Sequence, residues 1–329
     1  MATLRWGLLG ASRVARRWLL PGLQAATDQQ VHAVAARDPA RARDFAAELA
    51  IPLAHDNYDA LLRDPDIDIV YVGLLTASHA VWTERALDAG KHVLCEKPMA
   101  VSAGEVLRMR AAAERNRRLL LEGFAYRFHP QIARMAQAVR DGEIGPLVAL
   151  DSRFTMRMPD GDGTRWDASL GGGALFDVGC YCVHVMRIAT GREPLRVSAR
   201  ADIRRGVDAT LAGVLDFGDG VLATMACSYV GAPFQSLTLV GRDAVLRLAR
   251  PFGSKGQEVA LEIGDAVQRF PASDPTTPMV EMFGAAVRGE AALTVTPDDA
   301  LAQARVLDAL FASVRADGRL CAPAAAGAE

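Results

Sequence analysis

Cysteine is sparse in this chain, and the thiols are poorly spaced for metal chemistry. The five are Cys95, Cys180, Cys182, Cys227 and Cys321. Their number is odd, and Cys180-x-Cys182 lacks the second half that a zinc site needs. They are read as structural thiols in a reducing cytoplasm, and no metal ligand set is expected. An excess of one charge is also missing: 37 basic residues face 39 acidic ones. No basic block suggests nucleic acid, and no acidic tail suggests a charged partner. No apolar run is long enough to cross a bilayer. The first residues pass directly into a strand, Leu4 to Leu9, so no signal peptide is expected.

Length and alternation are present instead. A chain of 329 residues has room for two domains. Strand-like runs at Arg5 to Leu9, Val31 to Ala36, Ile67 to Gly73, His92 to Cys95 and Leu119 to Glu122 alternate with helical stretches. Those stretches are Val14 to Ala25, Ala40 to Leu49, Ala80 to Ala89 and Ala103 to Arg115. The alternation predicts a parallel, doubly wound sheet, and near-continuous apolar strands agree, since both faces would be covered. Beyond a helix at His129 to Asp141 the pattern changes to strands joined by Gly- and Asp-rich turns, such as Asp216-Phe217-Gly218-Asp219-Gly220. That reads as a mostly antiparallel meander. One long helix, Ala174 to Thr190, interrupts it, and a helix pair, Met279 to Arg288 and Pro297 to Arg315, ends it. The expected division is therefore an α/β Rossmann domain over 1–124, an α+β domain with a large open sheet over 125–321, and a disordered tail over 322–329.

Gly7-Leu8-Leu9-Gly10-Ala11-Ser12-Arg13-Val14-Ala15 joins the first strand to the first helix. Set against G-x-G-x-x-G/A, Gly10 is the tight-turn glycine and Ala15 the small packing residue. Ser12 stands at the middle glycine. Its amide can still approach a pyrophosphate at the helix N-terminus, and its hydroxyl can donate. The second strand ends Ala35-Ala36-Arg37-Asp38, where an NAD site would place an acid for the ribose diol. Arg37, with Arg41 following, suits a 2′-phosphate instead. Asp38 is read as an N-cap before Pro39, and Arg43 as a solvated helix face.

Two further segments carry chemistry. In Glu96-Lys97-Pro98 the proline prevents a helix from starting, so Lys97 is held at the C-terminal end of a strand, where open α/β sheets bind ligands. In Gly171-Gly172-Gly173-Ala174-Leu175-Phe176-Asp177-Val178-Gly179-Cys180-Tyr181, three glycines allow close backbone approach, and Asp177 and Tyr181 are four apart on a helix. Asp177, Tyr181 and a remote Lys97 make a proton-transfer set in which an ammonium would stabilise the phenolate. His184 is read as a packed helix histidine.

Four segments in this order carry a resemblance: Arg5 to Ser12, Ala89 to Pro98, Tyr126-Arg127-Phe128-His129-Pro130, and Gly171 to Tyr181. The chain resembles the glucose–fructose oxidoreductase / inositol dehydrogenase (Gfo/Idh/MocA) family. Within it, the motifs are similar to those of NADP-dependent trans-dihydrodiol and D-xylose dehydrogenases and, at the N-terminus, of 1,5-anhydrofructose reductase. The resemblance implies that Lys97 orients the reacting hydroxyl, that Tyr181 is the general acid/base, and that Asp177 binds substrate or steadies the pair. It assigns Gly10, Ala11, Ser12, Arg13, Val14, Arg37, Arg41, Leu74, Thr76, His79, Glu96 and Lys97 to the cofactor, with NADP(H) preferred over NAD(H). It assigns Tyr126, Arg127, Arg165, Trp166, Asp177 and Tyr181 to the substrate.

The chain departs from the family pattern at Leu75-Thr76, where Pro-Asn is common, and at Ala36, where a serine often precedes the arginine. The implied activity is hydride transfer between nicotinamide C4 and a carbinol or carbonyl carbon of a sugar or cyclic polyol. One alternative is reduction of a nucleotide-linked ketosugar, which would favour a basic cluster such as Arg153, Arg157 and Arg165. Another is a non-catalytic sugar-sensing regulator, which would have no use for Lys97 and Tyr181. Strands such as Leu211-Ala-Gly-Val-Leu and Leu237-Thr-Leu-Val-Gly are expected to expose apolar residues on an open sheet face, which predicts a homodimer or homotetramer.

Overall fold

The computed structural model describes residues 3–159 and 163–324. From residue 325 onward the expected disordered tail lies outside the described residues. Two compact units result, one built from 1–125 and 274–301, the other from 126–273 and 302–329.

The first unit opens with strand β1 (Leu4–Leu9), a π turn (Ala15–Leu19) and helix α1 (Leu20–Ala25). Pro21 sits in the first turn of α1, where its missing N–H costs nothing. The π turn just before it supplies the break in the ladder that a proline needs. There follow β2 (Gln29–Ala35), α2 (Pro39–Leu49), β3 (Leu53–His55), α3 (Tyr58–Arg63), β4 (Ile69–Val72), α4 (Thr76–Asp88), β5 (His92–Cys95), α5 (Ala103–Asn116) and β6 (Leu120–Glu122). All six strands pair in parallel in the order β3-β2-β1-β4-β5-β6. The order reverses between β1 and β4, the point beside which such sheets bind ligands. Every residue of β4 is buried, as a strand covered on both faces should be. Asp38 caps α2 as expected, accepting the Ala40 N–H at 3.0 Å. The sequence did not reveal β3 or α3, because three and six residues are too few to show a period.

The second unit contains α6 (Pro130–Arg140), β7 (Leu147–Arg157), a π turn (Leu175–Gly179) running into α7 (Cys180–Thr190), and β8 (Arg196–Arg204) to β14 (Ala266–Phe270). Between those last two lie β9 (Val207–Asp216), β10 (Leu222–Ser228), β11 (Val230–Gly241), β12 (Val245–Leu248) and β13 (Val259–Ile263). The eight strands run β14-β13-β12-β11-β7-β10-β9-β8, antiparallel throughout except β7 with β10. The helices α8 (Thr276–Val287) and α9 (Pro297–Arg315) complete the chain.

The first unit departs from the expected 125–321 span by taking back residues 274–301. Packing explains this: Gln29 donates from Nε2 to Val280 O at 2.8 Å and accepts from Trp6 Nε1 at 2.9 Å, and Trp6 meets the Phe283 ring edge-on. Trp6 and Phe283 are fully buried, and burying such a side chain contributes about 1.5–3 kcal/mol.

The open sheet face exposes Val214, as expected, but not the leucines of these runs: Leu211, Leu215, Leu237 and Leu239 are fully buried. Alternation turns these leucines toward the covered side, so the free face carries their neighbours instead. Val214, Thr224, Asp151 and Thr238 lie in register across that face.

All five cysteines are free thiols, four of them buried. Burial pushes the Cys182 thiol up to about 12, so it stays protonated and inert. Among the described residues one group of metal-capable side chains comes together, His32, Asp64 and Asp66. Both carboxylates are already engaged, Asp64 by His55 at 2.9 Å and Asp66 by Arg5 at 2.5 Å. Among the described residues no helix is long and apolar enough to cross a membrane.

Candidate active site

The site residues fall into two sets, one in each unit. In the first unit the loop after β1 turns at Gly10, whose φ of +105° lies in the left-handed region. A Cβ there would come within 2.7 Å of Gly73 O. Only glycine lets the β1 and β4 ends approach so closely. Ser12 Oγ accepts the Ala15 N–H at 3.0 Å, so its hydroxyl also caps the helix, and Ala15 is fully buried. Arg13 and Val14 are exposed beside it.

At the end of β2 the guanidinium of Arg41 reaches back to Ala11 O at 2.9 Å, which ties the arginine corner to the phosphate loop. Arg37 is exposed there. Arg43 instead pairs with Asp56 at 3.3 Å on the surface. One member of this corner was not read from the sequence. The Tyr58 phenol faces the Arg37 backbone and the charges of Arg37 and Arg41; burial, the largest influence, raises it above the usual tyrosine range. Tyr58 is held edge-on to Trp82 at 4.7 Å, and Arg85 lies over the Trp82 ring at 4.5 Å. The donor set of two guanidiniums and a phenol suits a phosphate, and the glycine cradle suits a pyrophosphate.

The loops after β4 and β5 are braced by two buried groups. Tyr71 donates to Glu96 Oε1 at 2.9 Å, and the other Glu96 oxygen accepts the Lys97 N–H at 3.2 Å. His79 is buried between two carbonyls, Pro98 O at 3.0 Å from Nδ1 and Leu74 O at 3.2 Å from Nε2. Burial lowers its pKa to about 4, so the ring is neutral and carries one N–H for the two carbonyls. His79 can donate to only one of these carbonyls at a time, and it lies between the Leu74 and Pro98 loops. Thr76 opens α4, and Glu96 and Lys97 are half-buried.

In the second unit Tyr181 occupies an aromatic box. Its ring centroid lies 5.4 Å from Tyr126, 5.5 Å from Phe154 and 5.4 Å from Phe252. Tyr126 is itself buried, and its hydroxyl meets His184 Nδ1 at 2.7 Å. Arg127 Nη1 lies 3.4 Å from His184 Nε2. A guanidinium only donates, so Nε2 accepts and Nδ1–H points to Tyr126. His184 is thus more than a packed histidine: it links two of the proposed substrate residues. Phe154 and Phe252 were not read from the sequence, because strand and loop packing brings them to Tyr181 from distant segments.

Asp177 lies one step earlier, within the π turn. Its Oδ2 accepts from Arg165 Nε at 2.8 Å and from the Tyr229 hydroxyl at 3.2 Å. Trp166 is largely buried, with Nε1 donating to Pro159 O at 3.2 Å and its ring edge-on to Tyr229 at 5.6 Å. The turn before the helix is clamped at several points. Gly173 has φ +118°, and a Cβ there would collide with Asp208 Oδ1. Asp208 Oδ2 accepts the Leu175 N–H at 2.6 Å, and burial pushes its carboxyl up to about 7. A Cβ on Gly179 would sit 2.7 Å from Cys227 Sγ, which explains why that position carries no side chain.

Comparison with known proteins decides the family. Residues 4–124 match a model for an oxidoreductase family with an NAD-binding Rossmann fold, GFO_IDH_MocA, and residues 132–247 match the GFO/IDH/MocA C-terminal domain. The chain belongs to the GFO/IDH/MocA oxidoreductase family. It is 35% identical to a D-xylose 1-dehydrogenase (NADP(+)) of Haloferax volcanii, over 94% of this chain and 97% of that one. It is 37% identical to a dTDP-3,4-didehydro-2,6-dideoxy-α-D-glucose 3-reductase of Streptomyces violaceoruber, over 87% of this chain and 85% of that one. Among solved structures, a 3-ketoreductase of Actinomadura kijaniata in complex with NADP and TDP-benzene superposes with a TM-score of 0.88 at 30% identity. That match covers 94% of this chain and 97% of the other.

Proposed function

We propose that this family member is an NADP(H)-dependent dehydrogenase or reductase of a sugar or related polyol, with Tyr181 as acid/base and Lys97 as its charged partner. The observation that carries the cofactor half is the corner of Arg37, Arg41 and Tyr58, with Arg41 bonded back to the phosphate loop. Gly10, Ala11, Ser12, Arg13 and Val14 would hold the pyrophosphate on backbone amides, and Arg37 and Arg41 the 2′-phosphate. Leu74, Thr76, Glu96 and Lys97 would line the nicotinamide end. When bound, the nicotinamide accepts or donates a hydride at C4.

The chain's own residues then handle the proton and the orientation of the substrate. Tyr181 takes the hydroxyl proton during oxidation and returns it during reduction. A protonated Lys97 favours the phenolate in that exchange and holds the reacting oxygen. Asp177, Arg165, Arg127 and Tyr126 would hold the remaining hydroxyls, with Trp166 backing them.

A free sugar is favoured over a nucleotide-linked one by the fate of the expected basic cluster. Arg153 bonds Asp151 at 3.1 Å and Arg165 bonds Asp177 at 2.8 Å, so two of the three arginines are neutralised. Reduction of a nucleotide-linked ketosugar is the second reading, supported by the named activity of the Streptomyces relative. A sensing role without catalysis leaves Lys97 and Tyr181 unexplained. The test is a panel of aldoses, cyclic polyols and nucleotide-linked sugars offered with NADP and with NAD, following nicotinamide absorbance. NADP-linked turnover of a free sugar is expected. Turnover confined to nucleotide-linked substrates would shift the reading to the second, and binding without turnover would favour a sensor.

The partner in this reading is a small-molecule sugar or polyol. The open face of the eight-stranded sheet would take a second copy of the chain. Val214 and Leu222 are about half exposed there and would supply the apolar contact across a two-fold axis. Light scattering should give the mass of a dimer or tetramer; a stable monomer would remove the claim.

A further inference from the structure

Tyr229 lies between β10 and β11 and is fully buried. Its hydroxyl reaches two acceptors, Gly173 O at 2.8 Å and Asp177 Oδ2 at 3.2 Å. A hydroxyl has a single proton, so the carbonyl and the carboxylate share it. Burial first, and the Asp177 charge second, push this phenol far above the usual tyrosine range. It therefore keeps its proton and acts as a donor.

The residue is also held on several sides. The Tyr229 N–H donates to Ala209 O at 2.8 Å, and its carbonyl accepts from Met158 N at 2.7 Å. Trp166 packs on the ring, and Arg205 lies over Trp166 at 5.7 Å. A tyrosine that served only to hold the glycine turn would need one bond, to Gly173. The second bond goes to the carboxylate assigned to the substrate.

We propose that Tyr229 is a positioning residue: its hydroxyl fixes the orientation of the Asp177 carboxylate and anchors the turn from which the Tyr181 helix starts. The inference rests on the sugar-dehydrogenase reading for what Asp177 binds. Tyr229 touches no substrate in this scheme and acts through Asp177. Phenylalanine would fill the same volume and withdraw only the donor.

The test is Tyr229→Phe in the full chain. With a substrate from the panel, KM should rise about tenfold while kcat stays within about threefold. The effect should disappear in an Asp177→Ala background, where no side-chain oxygen is left for the hydroxyl to orient. A spectroscopic readout stands apart from activity: the carboxyl carbon NMR signal of Asp177, identified by its loss in Asp177→Asn, should move in Tyr229→Phe. Replacing Tyr229 by 3-fluorotyrosine keeps the hydroxyl, makes it a stronger donor, and should move the signal the opposite way. That second substitution decides the matter if the phenylalanine variant folds poorly. An unmoved carboxyl signal, or a KM effect that persists without the Asp177 carboxylate, overturns the proposal. If the unsubstituted protein turns over no sugar at all, the dehydrogenase reading falls and the NMR result still decides the role of Tyr229.

Discussion

Tyr181→Phe is expected to lower kcat by about 10²–10⁴-fold, the usual worth of a positioned general acid/base. The substitution removes one oxygen and keeps the ring. Packing against Tyr126, Phe154 and Phe252 depends on that ring, so the thermal midpoint should stay near that of the parent. NADP affinity should also hold, because the proposal places Tyr181 with the substrate. Lys97→Met should produce a loss of similar size for a different reason: it removes the charged partner that the proposed reaction gives the reacting oxygen. Turnover unchanged in both variants would mean that some other pair moves the proton. Steady-state kinetics, with melting curves as the folding control, makes the measurement.

Arg37→Ala should raise the KM for NADP by about 10- to 100-fold and leave that for NAD nearly unchanged, the worth of a charge-assisted hydrogen bond to phosphate. The side chain is exposed, so little stability is at stake. Arg41→Ala should show the same selectivity together with a smaller loss for NAD, because Arg41 also holds Ala11 O and thus the phosphate loop. Comparing kcat/KM for the two cofactors in each variant gives the result. Equal losses with NADP and NAD would show that the arginines brace the loop and do not read the 2′-phosphate.

Local sequence carried the parts of this account that are local. Gly10, Lys97 and Tyr181 stand in short runs whose residue types announce a turn, a strand end or a helix, and each lies where expected; Asp177, expected on the same helix as Tyr181, stands in the π turn before it. Asp38 capped its helix because Asp-Pro before a helix has few other uses. Residues gathered by pairing across the chain were not legible. Phe154 reaches Tyr181 only because β7 is paired between β10 and β11, and Tyr229 reaches Asp177 from a strand junction. Tyr58 begins a helix of six residues, too short to register as a period. The leucines of the open sheet were placed on the wrong face for a related reason. Alternation in Leu211 to Leu215 shows that a strand has two faces but not which one its helices will cover. Residues 274–301 gave no local sign that Val280 and Phe283 would pack beside Gln29 and Trp6.

In the proposed reaction a hydride passes from a sugar carbon to an NADP held by the Arg37 corner. The most direct measurement uses the best free sugar of the panel, deuterated at its reacting carbon, with NADP. Mass analysis of the reduced cofactor should show one deuterium, with release of a proton to solvent that slows sharply in Tyr181→Phe. Reduced cofactor without deuterium, or deuterium delivered to NAD and not to NADP, would contradict the account.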